Sequence, residues 1–367
     1  MSALCIGLVY ETFGTYPRRA GDPEDWEAEY EPEETVKGLE AALSRLGHRP
    51  VRLGSPRDLL GAIARGSLPA LDAALSIAEG RDTRNREGWA PSLLEMAGVP
   101  LLGSDALSLG LCLDKAWTRR VVAAAGVPVA PGRVCRSAEG LDAGALPAPF
   151  PLFVKPCWEG TAKGIREHSK VESLEALRRE VERVTSVYRQ PALVEAFVPG
   201  AEYTVTLVGH RPVRALPVLQ RALERQSGIG VHALEGPGRP DRELEPMTPG
   251  TLESPLEATL QSLAVTAFET LECRDFARID FRLDAGGRPV FLEINPLPTF
   301  APDGSFGILA ELAGREWVDL LAEVLGEALE RVVGGASGRR PAAPGAPRSG
   351  TAGAAGTAGR TERGGGA

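Results

Sequence analysis

Two stretches late in the chain, ARIDFRL (277–283) and FLEINPLP (291–298), hold the residues with most to offer chemically: Asp280, Glu293 and Asn295. Glu293 and Asn295 are two apart, so in a strand they project from one face, and Asp280 on a neighbouring strand could face them. Two carboxylates beside an amide form a hard-oxygen set suited to Mg²⁺, which combines carboxylates with water and phosphate oxygens. Ion pairs to Arg278 or Arg282 on a sheet face would satisfy the same carboxylates. Burying two like charges without a cation is costly, which favours the metal if that face is covered.

A second segment, VKPCWEGTAKGI (154–165), passes from a strand through Lys155 into a glycine-bearing loop. Loop N–H groups and an ammonium both favour negative charge, so the segment could cradle phosphates. It is not a GxxxxGK[ST] loop, and no GxGxxG follows the first strand. Lysine is scarce, five against 36 arginines, yet Lys115, Lys155 and Lys163 all fall in candidate segments. A further segment, VEAFVPGAEYTV (194–205), reads as extended. Its backbone could bond an adenine edge beside Glu195, Phe197 and Val198, with Glu202 on ribose hydroxyls. A half-buried edge strand with solvated glutamates is the plainer reading of the same residues.

Positioning these groups requires a scaffold, and the patterning supplies one. LCIGLVY (4–10) has the character of a buried parallel strand. EETVKGLEAALSRL (33–46) has helical spacing closed by Gly47, and RPVRL and LDAALSIAE read as further strands. This alternation predicts an open parallel α/β domain over 1–103, whose ligands would sit beyond the strand ends. Glu79, Arg81, Arg84, Arg86 and Glu87 follow one such strand and could line a site or form a solvated charged loop. Downstream the reading is a helix at 114–125, a strand at 151–156, and a helix at 172–188 capped by Ser169 or Ser173. Strands at 192–198 and 202–209 follow, split by Pro199-Gly200. A helix at 254–271, two strands about the turn DAGGR, and one helix at 307–333 complete it. The divisions expected are 1–103, 104–191, 192–333 and a Gly/Ala/Pro/Arg tail, 334–367, predicted disordered.

Composition narrows the class. With 43% hydrophobic and 25% charged residues, the 367-residue chain can bury a sizeable core. A net charge of −8 argues against general nucleic-acid or anionic-membrane binding. Five scattered cysteines without a CxxC pair and four histidines without HExxH spacing make a zinc site an unsuitable reading. The opening MSALCIGLVYE lacks a basic leader, and no apolar run approaches bilayer length, so a cytoplasmic protein without signal peptide or membrane span is expected.

In this order and spacing the segments resemble the ATP-grasp superfamily, and within it the D-alanine–D-alanine ligase family. The resemblance covers roughly 1–333 and is strongest in VPLLGSDALSLGLCLDKAWTRRVVAAAGVPV, PLFVKPCWEGTAKGI, ALVEAFVPGAEYTV and ARIDFRLDAGGRPVFLEINPLP. It implies an α/β, three-domain ATP-grasp fold in which an N-terminal parallel domain precedes two α+β domains that clamp ATP. It further implies that Lys115 and Lys155 contact phosphates, Glu195, Phe197 and Val198 the adenine, and Glu202 the ribose. Asp280, Glu293 and Asn295 would hold two Mg²⁺, with Mn²⁺ able to substitute. Arg278, with a backbone N–H near Thr299, would stabilise a tetrahedral intermediate, and Ser305 would bind the acceptor's carboxylate. A homodimer is the common assembly of such proteins.

Departures concentrate where amino-acid substrates would sit. The family's Tyr-Asp-Tyr-like loop and phosphate-binding lysine should fall near 220–240, where RALERQSGIGVHALEGPGR has neither; Arg221, Arg225 and His232 are the replacements available. The family's serine pair reads Thr161-Ala162, its oxyanion glycine reads Thr299, and its substrate glutamate is matched by Glu33 or Glu34. The expectation is therefore an ATP-dependent ligase joining two amino acids through an acyl phosphate, as in a specialised dipeptide or γ-glutamyl amide. A D-alanine–D-alanine ligase of cell-wall synthesis, a ligase with a non-amino-acid acceptor, and a non-catalytic ATP-binding protein are the rivals.

Overall fold

The computed structural model describes residues 3–223, 227–230 and 254–336. Three sheets organise them. In the first, β1 (Cys5–Val9), β2 (Arg49–Gly54), β3 (Ala73–Ser76) and β4 (Leu101–Leu102) run parallel in the order β2-β1-β3-β4. The four residues of β3 are all buried, as expected of a strand covered on both faces. Helix α1 (Glu33–Arg45) turns Val36, Leu39, Ala42 and Leu43 inward, and Gly47 ends it at φ +80°. Helices α2 (Pro56–Ala64) and α3 (Trp89–Met96) also belong to this part. A reciprocal Ser55–Asp58 capping box starts α2, a signal legible in SPRD.

Helices α4 (Ala106–Leu113) and α5 (Lys115–Ala124) lead into an antiparallel second sheet. Its strands are β5 (Gly132–Cys135), β6 (Leu152–Pro156), β7 (Lys170–Val171) and β8 (Ala192–Ala196), ordered β5-β8-β6-β7. Helix α6 (Leu174–Val187), capped by Ser173 rather than Ser169, packs Leu177, Val181 and Val184 onto it. The border expected at 191/192 cuts this sheet. Because β8 pairs with both β5 and β6, residues 192–196 complete it, and Pro199-Gly200 is a link between sheets rather than a hairpin. A Cβ at Gly200 would stand 2.5 Å from the Leu283 carbonyl oxygen, so the crossing needs glycine.

The third sheet joins β9 (Glu202–Gly209), β10 (Val213–Ala215), β11 (Leu219–Arg221), β12 (Phe276–Leu283) and β13 (Pro289–Asn295), all antiparallel neighbours. Helix α7 (Ser254–Thr270) and α5 bury its other face around Leu260, Phe268, Phe281 and Phe291. Turn residue Asp284 accepts the N–H groups of Gly286 and Arg288 and fixes the β12–β13 hairpin. The closing helix expected at 307–333 is instead two, α8 (Ser305–Leu312) and α9 (Trp317–Ala336). Gly314, at φ +62°, caps the first inside an otherwise helix-like apolar pattern. Helix α9 returns to α1, where Gly38 leaves room for the Trp317 ring. Arg225, His232 and the tail beyond Ala336 lie outside the described residues. No helix among the described residues is long and apolar enough to cross a membrane.

Candidate active site

Antiparallel pairing sets the reactive face. Asp280 lies opposite Glu293, and Arg278 opposite Asn295, so all four share one side of the β12–β13 hairpin. On the other flank Asp280 faces Thr204 of β9. The Thr204 hydroxyl donates to Asp280 at 2.6 Å, and Arg278 donates to the second Asp280 oxygen at 3.1 Å. Lys115, at the start of α5, reaches Glu293 at 3.0 Å, and Arg278 approaches that carboxylate at 3.6 Å. Burial pushes Glu293 up, but Lys115, Arg278 and Lys155 outweigh it and hold the group at about 2. Burial likewise opposes charge on Lys115 and Arg278, and their carboxylate partners keep both above their ordinary values. Glu293, Lys115 and Arg278 are thus all charged at neutral pH.

Among the described residues no group of three or more His, Cys, Asp or Glu could hold a metal ion. The donor set here is two carboxylates and one amide. Such a set fits Mg²⁺, which leaves most of its shell to water and substrate phosphates. Thr206, opposite Arg278, has a buried hydroxyl without a partner among the described residues, room for polar contact with a ligand.

The expected nucleotide residues gather around the junction of the second and third sheets. Lys155 points at Glu195, 2.8 Å away, and Arg119 of α5 pairs with the same carboxylate. Arg119 gave no signal in the sequence beyond being one of two arginines in a helix. Phe197 lies between two cations, with the Lys170 ammonium 4.6 Å and the Arg282 guanidinium 5.2 Å from its ring centre. Val198 is buried nearby, and Glu202 approaches Arg282 at 4.0 Å.

The substrate-side expectations fare differently. Glu33 and Glu34 are exposed in the first turn of α1, and Glu33 pairs with Arg52 on the outside. Neither joins the site, because the inward face of that turn belongs to Thr35 and Val36. Glu31 occupies the inward position instead. It accepts from Thr35 at 2.9 Å and neighbours Thr299 and Phe300, and burial raises its carboxyl above the usual range. Ser305 is buried at the start of α8, 3.4 Å from the Arg221 guanidinium.

Thr161 and Ala162 both adopt positive φ, +46° and +55°, unusual for residues with a Cβ. Clasping explains how the loop holds this shape: Asp25 accepts the Gly164 N–H, and Glu29 accepts the Gly160 N–H and the Lys163 ammonium. Lys163 therefore serves this clasp, between Glu29 and Glu159. Arg86 is the second cation, 2.6 Å from Glu29 and 3.2 Å from Glu79. Arg86, Lys163 and the Gly160 N–H overcome burial and hold Glu29 at about 2. Glu87, in the same cluster, is pushed by burial, against Arg86, up to about 7. Its folded state therefore binds a proton more readily than the unfolded chain. Stability from this group is present below 4.5 and is lost as pH rises toward 7. Glu87→Gln should accordingly change stability relative to the parent chain by up to about 1.4 kcal/mol per pH unit across that window. Urea titrations at pH 5, 6 and 7 check this, and a pH-independent difference would refute it.

Residues 122–326 match the family model described as D-ala D-ala ligase C-terminus. An uncharacterized protein, y4sG, of Sinorhizobium fredii is 31% identical over 303 residues, covering 80% of this chain and 87% of that protein. A D-alanine–D-alanine ligase of Desulforudis audaxviator is 30% identical over 299 residues, 79% of this chain and 91% of that one. The crystal structure of a D-alanine–D-alanine ligase from Bacillus anthracis complexed with ATP superposes with a TM-score of 0.67 at 19% identity. It covers 91% of this chain and 100% of that one.

Proposed function

Because the chain belongs to the D-alanine–D-alanine ligase family of ATP-dependent ligases, we propose that it joins two amino acids by an amide bond other than D-alanyl-D-alanine. The observation carrying the ligase part is the single face on which Arg278, Asp280, Glu293 and Lys115 meet. Nucleotide binding alone does not require a guanidinium there, whereas acyl transfer does. The departure from D-alanine rests on the loop Glu159–Gly164, where Thr161-Ala162 is locked by Asp25 and Glu29. A specialised dipeptide or γ-glutamyl amide is the product class proposed.

In this reading a donor carboxylate oxygen attacks the γ-phosphorus of ATP, the bond to the β–γ bridging oxygen breaks, and ADP leaves. The acceptor's amine nitrogen then attacks the acyl carbon, losing a proton, and inorganic phosphate departs with one donor oxygen. Lys115 and Lys155 steady the phosphates. Glu195, Phe197 and Val198 border the adenine, and Glu202 takes the ribose. Asp280, Glu293 and Asn295 would hold Mg²⁺, which supplies charge neutralisation for the phosphate oxygens. Arg278 stabilises the oxyanion of the acyl-transfer step, beside Thr299, and Glu31 orients a substrate ammonium in place of Glu33 or Glu34. Excluding water protects the acyl phosphate, a task suited to the clasped loop.

ADP release with Mg-ATP and paired pools of L- and D-amino acids, followed by product mass, tests this. A product equal to two amino acids less water supports the ligase. Rapid, saturable ADP release with D-alanine alone would replace the substrate part with D-alanyl-D-alanine synthesis. No turnover with any pool despite ATP binding would contradict the reading.

A further inference from the structure

Helix α5 carries two buried cations on one face, Lys115 and, one turn on, Arg119. Lys115 reaches Glu293, whereas Arg119 reaches the second sheet, where its guanidinium donates to Glu195 and to the Ala130 carbonyl. Glu195 is also the partner of Lys155. Phe153 of β6 lies opposite Glu195 of β8, so Lys155, two residues on, is the diagonal neighbour of Glu195 on the same face, 2.8 Å away. All three side chains are buried. Arg119 takes one oxygen of the carboxylate and Lys155 the other. On its second flank β8 pairs Glu195 with Gly132 of β5. A Cβ at Gly132 would stand 2.9 Å from an Arg119 nitrogen and 3.1 Å from the Glu195 Cβ, so the guanidinium fills space that glycine leaves open.

We propose that Arg119 is a positioning residue for the nucleotide's phosphates, acting through Glu195 on Lys155. This rests on the reading of Lys155 as a phosphate contact. A lone Lys155–Glu195 pair would be neutral, and away from water the carboxylate would hold the ammonium and cancel its field. With Arg119 on the second oxygen, two positive formal charges share one negative, a net of +1. Lys155 can then meet an incoming anion without stranding Glu195. A phosphate oxygen answers that surplus charge, whereas the uncharged adenosine moiety does not. Arg119 thereby raises affinity for phosphorylated nucleotides and leaves recognition of the nucleoside unchanged.

The test measures affinities for ADP and for adenosine, each with Mg²⁺, by calorimetry on the full chain; their ratio reports the phosphates alone. Arg119→Gln should lower that ratio about tenfold, the scale of one charge-assisted contact, with adenosine affinity within about threefold of the parent. Arg119→Lys keeps the charge but gives up the fork to Ala130, and it should restore most of the ratio. Equal losses on ADP and adenosine, or a ratio that Arg119→Lys does not restore, would make Arg119 a structural tie between α5 and the second sheet and overturn the proposal. Gly132→Ala serves if Arg119→Gln does not fold. It keeps every charge but displaces the guanidinium from Glu195, so the ratio should fall again, and an unchanged ratio would refute the claim. Lys155→Met separates the underlying reading from the inference. It should lower the ratio too, and adding Arg119→Gln to it should cost little more, because Arg119 acts through Lys155. A parental ratio in Lys155→Met would end the phosphate reading and the proposal with it. A lowered ratio with fully additive losses in the double variant would retain Lys155 and discard the route through it.

Discussion

Glu293→Gln is expected to cut ADP-forming ligation by about 10³-fold while nucleotide binding survives. The substitution keeps an oxygen for Lys115, 3.0 Å away in the parent, but removes the negative charge opposite Asp280. If Glu293 holds Mg²⁺ as proposed, losing it forfeits several kcal/mol of charge neutralisation on the phosphates, and each ~1.4 kcal/mol is tenfold in rate. Asp280→Asn should behave alike, and it also loosens Arg278, which donates to Asp280 at 3.1 Å. Single-turnover rates and an ATP-induced thermal shift, measured on the same preparations, separate chemistry from binding. Loss of the thermal shift together with the rate would assign these residues to nucleotide affinity instead.

The second large effect concerns assembly rather than chemistry. Arg86 is almost fully buried and answers Glu29 and Glu79, with Glu159 3.6 Å away. Arg86→Met leaves these carboxylates facing one another, with Lys163 still paired to Glu29 and Glu159. Removing one partner of a buried ionic network costs on the order of 3–5 kcal/mol. The deficit should shrink as pH falls and the carboxylates take up protons. Denaturant midpoints at pH 5 and 7.5 measure it; a loss below about 1 kcal/mol at both would show that the cluster is solvated and adds little.

What the sequence disclosed followed from periodicity and local turn chemistry. The strand pair around DAGGR, with Asp280 across from Glu293, needed only alternation and a turn, and the structure adds the register. The substrate glutamate was harder. Glu31, Glu33 and Glu34 differ little as letters, and only the start of α1 after Pro32 separates buried Glu31, bridged to Thr12, from Glu33 and Glu34 on the exposed first turn. Gly314 was overlooked because the apolar spacing runs through it, while its positive φ ends one helix and begins the approach to another. The border at 191/192 failed for a similar reason, since antiparallel pairing of Ala192–Ala196 with β5 joins residues about sixty positions apart. Longer still is the clasp, in which Glu29 meets Gly160 across 131 residues. Charge pairing over that distance has no sequence period, so Arg86 reads equally as lining a site or as part of a solvated charged loop, and Arg119 carries no signal of its pairing.

The central claim is that a donor carboxylate is activated by phosphorylation and captured by an amine. The most direct test uses a donor whose carboxylate carries ¹⁸O, with Mg-ATP and the acceptor. The account predicts that one labelled oxygen per turnover appears in inorganic phosphate, in step with ADP and amide product. ADP released with unlabelled phosphate, the label staying wholly with the donor, would mean that water is the acceptor of the phosphoryl group and that this chain hydrolyses ATP without forming the bond.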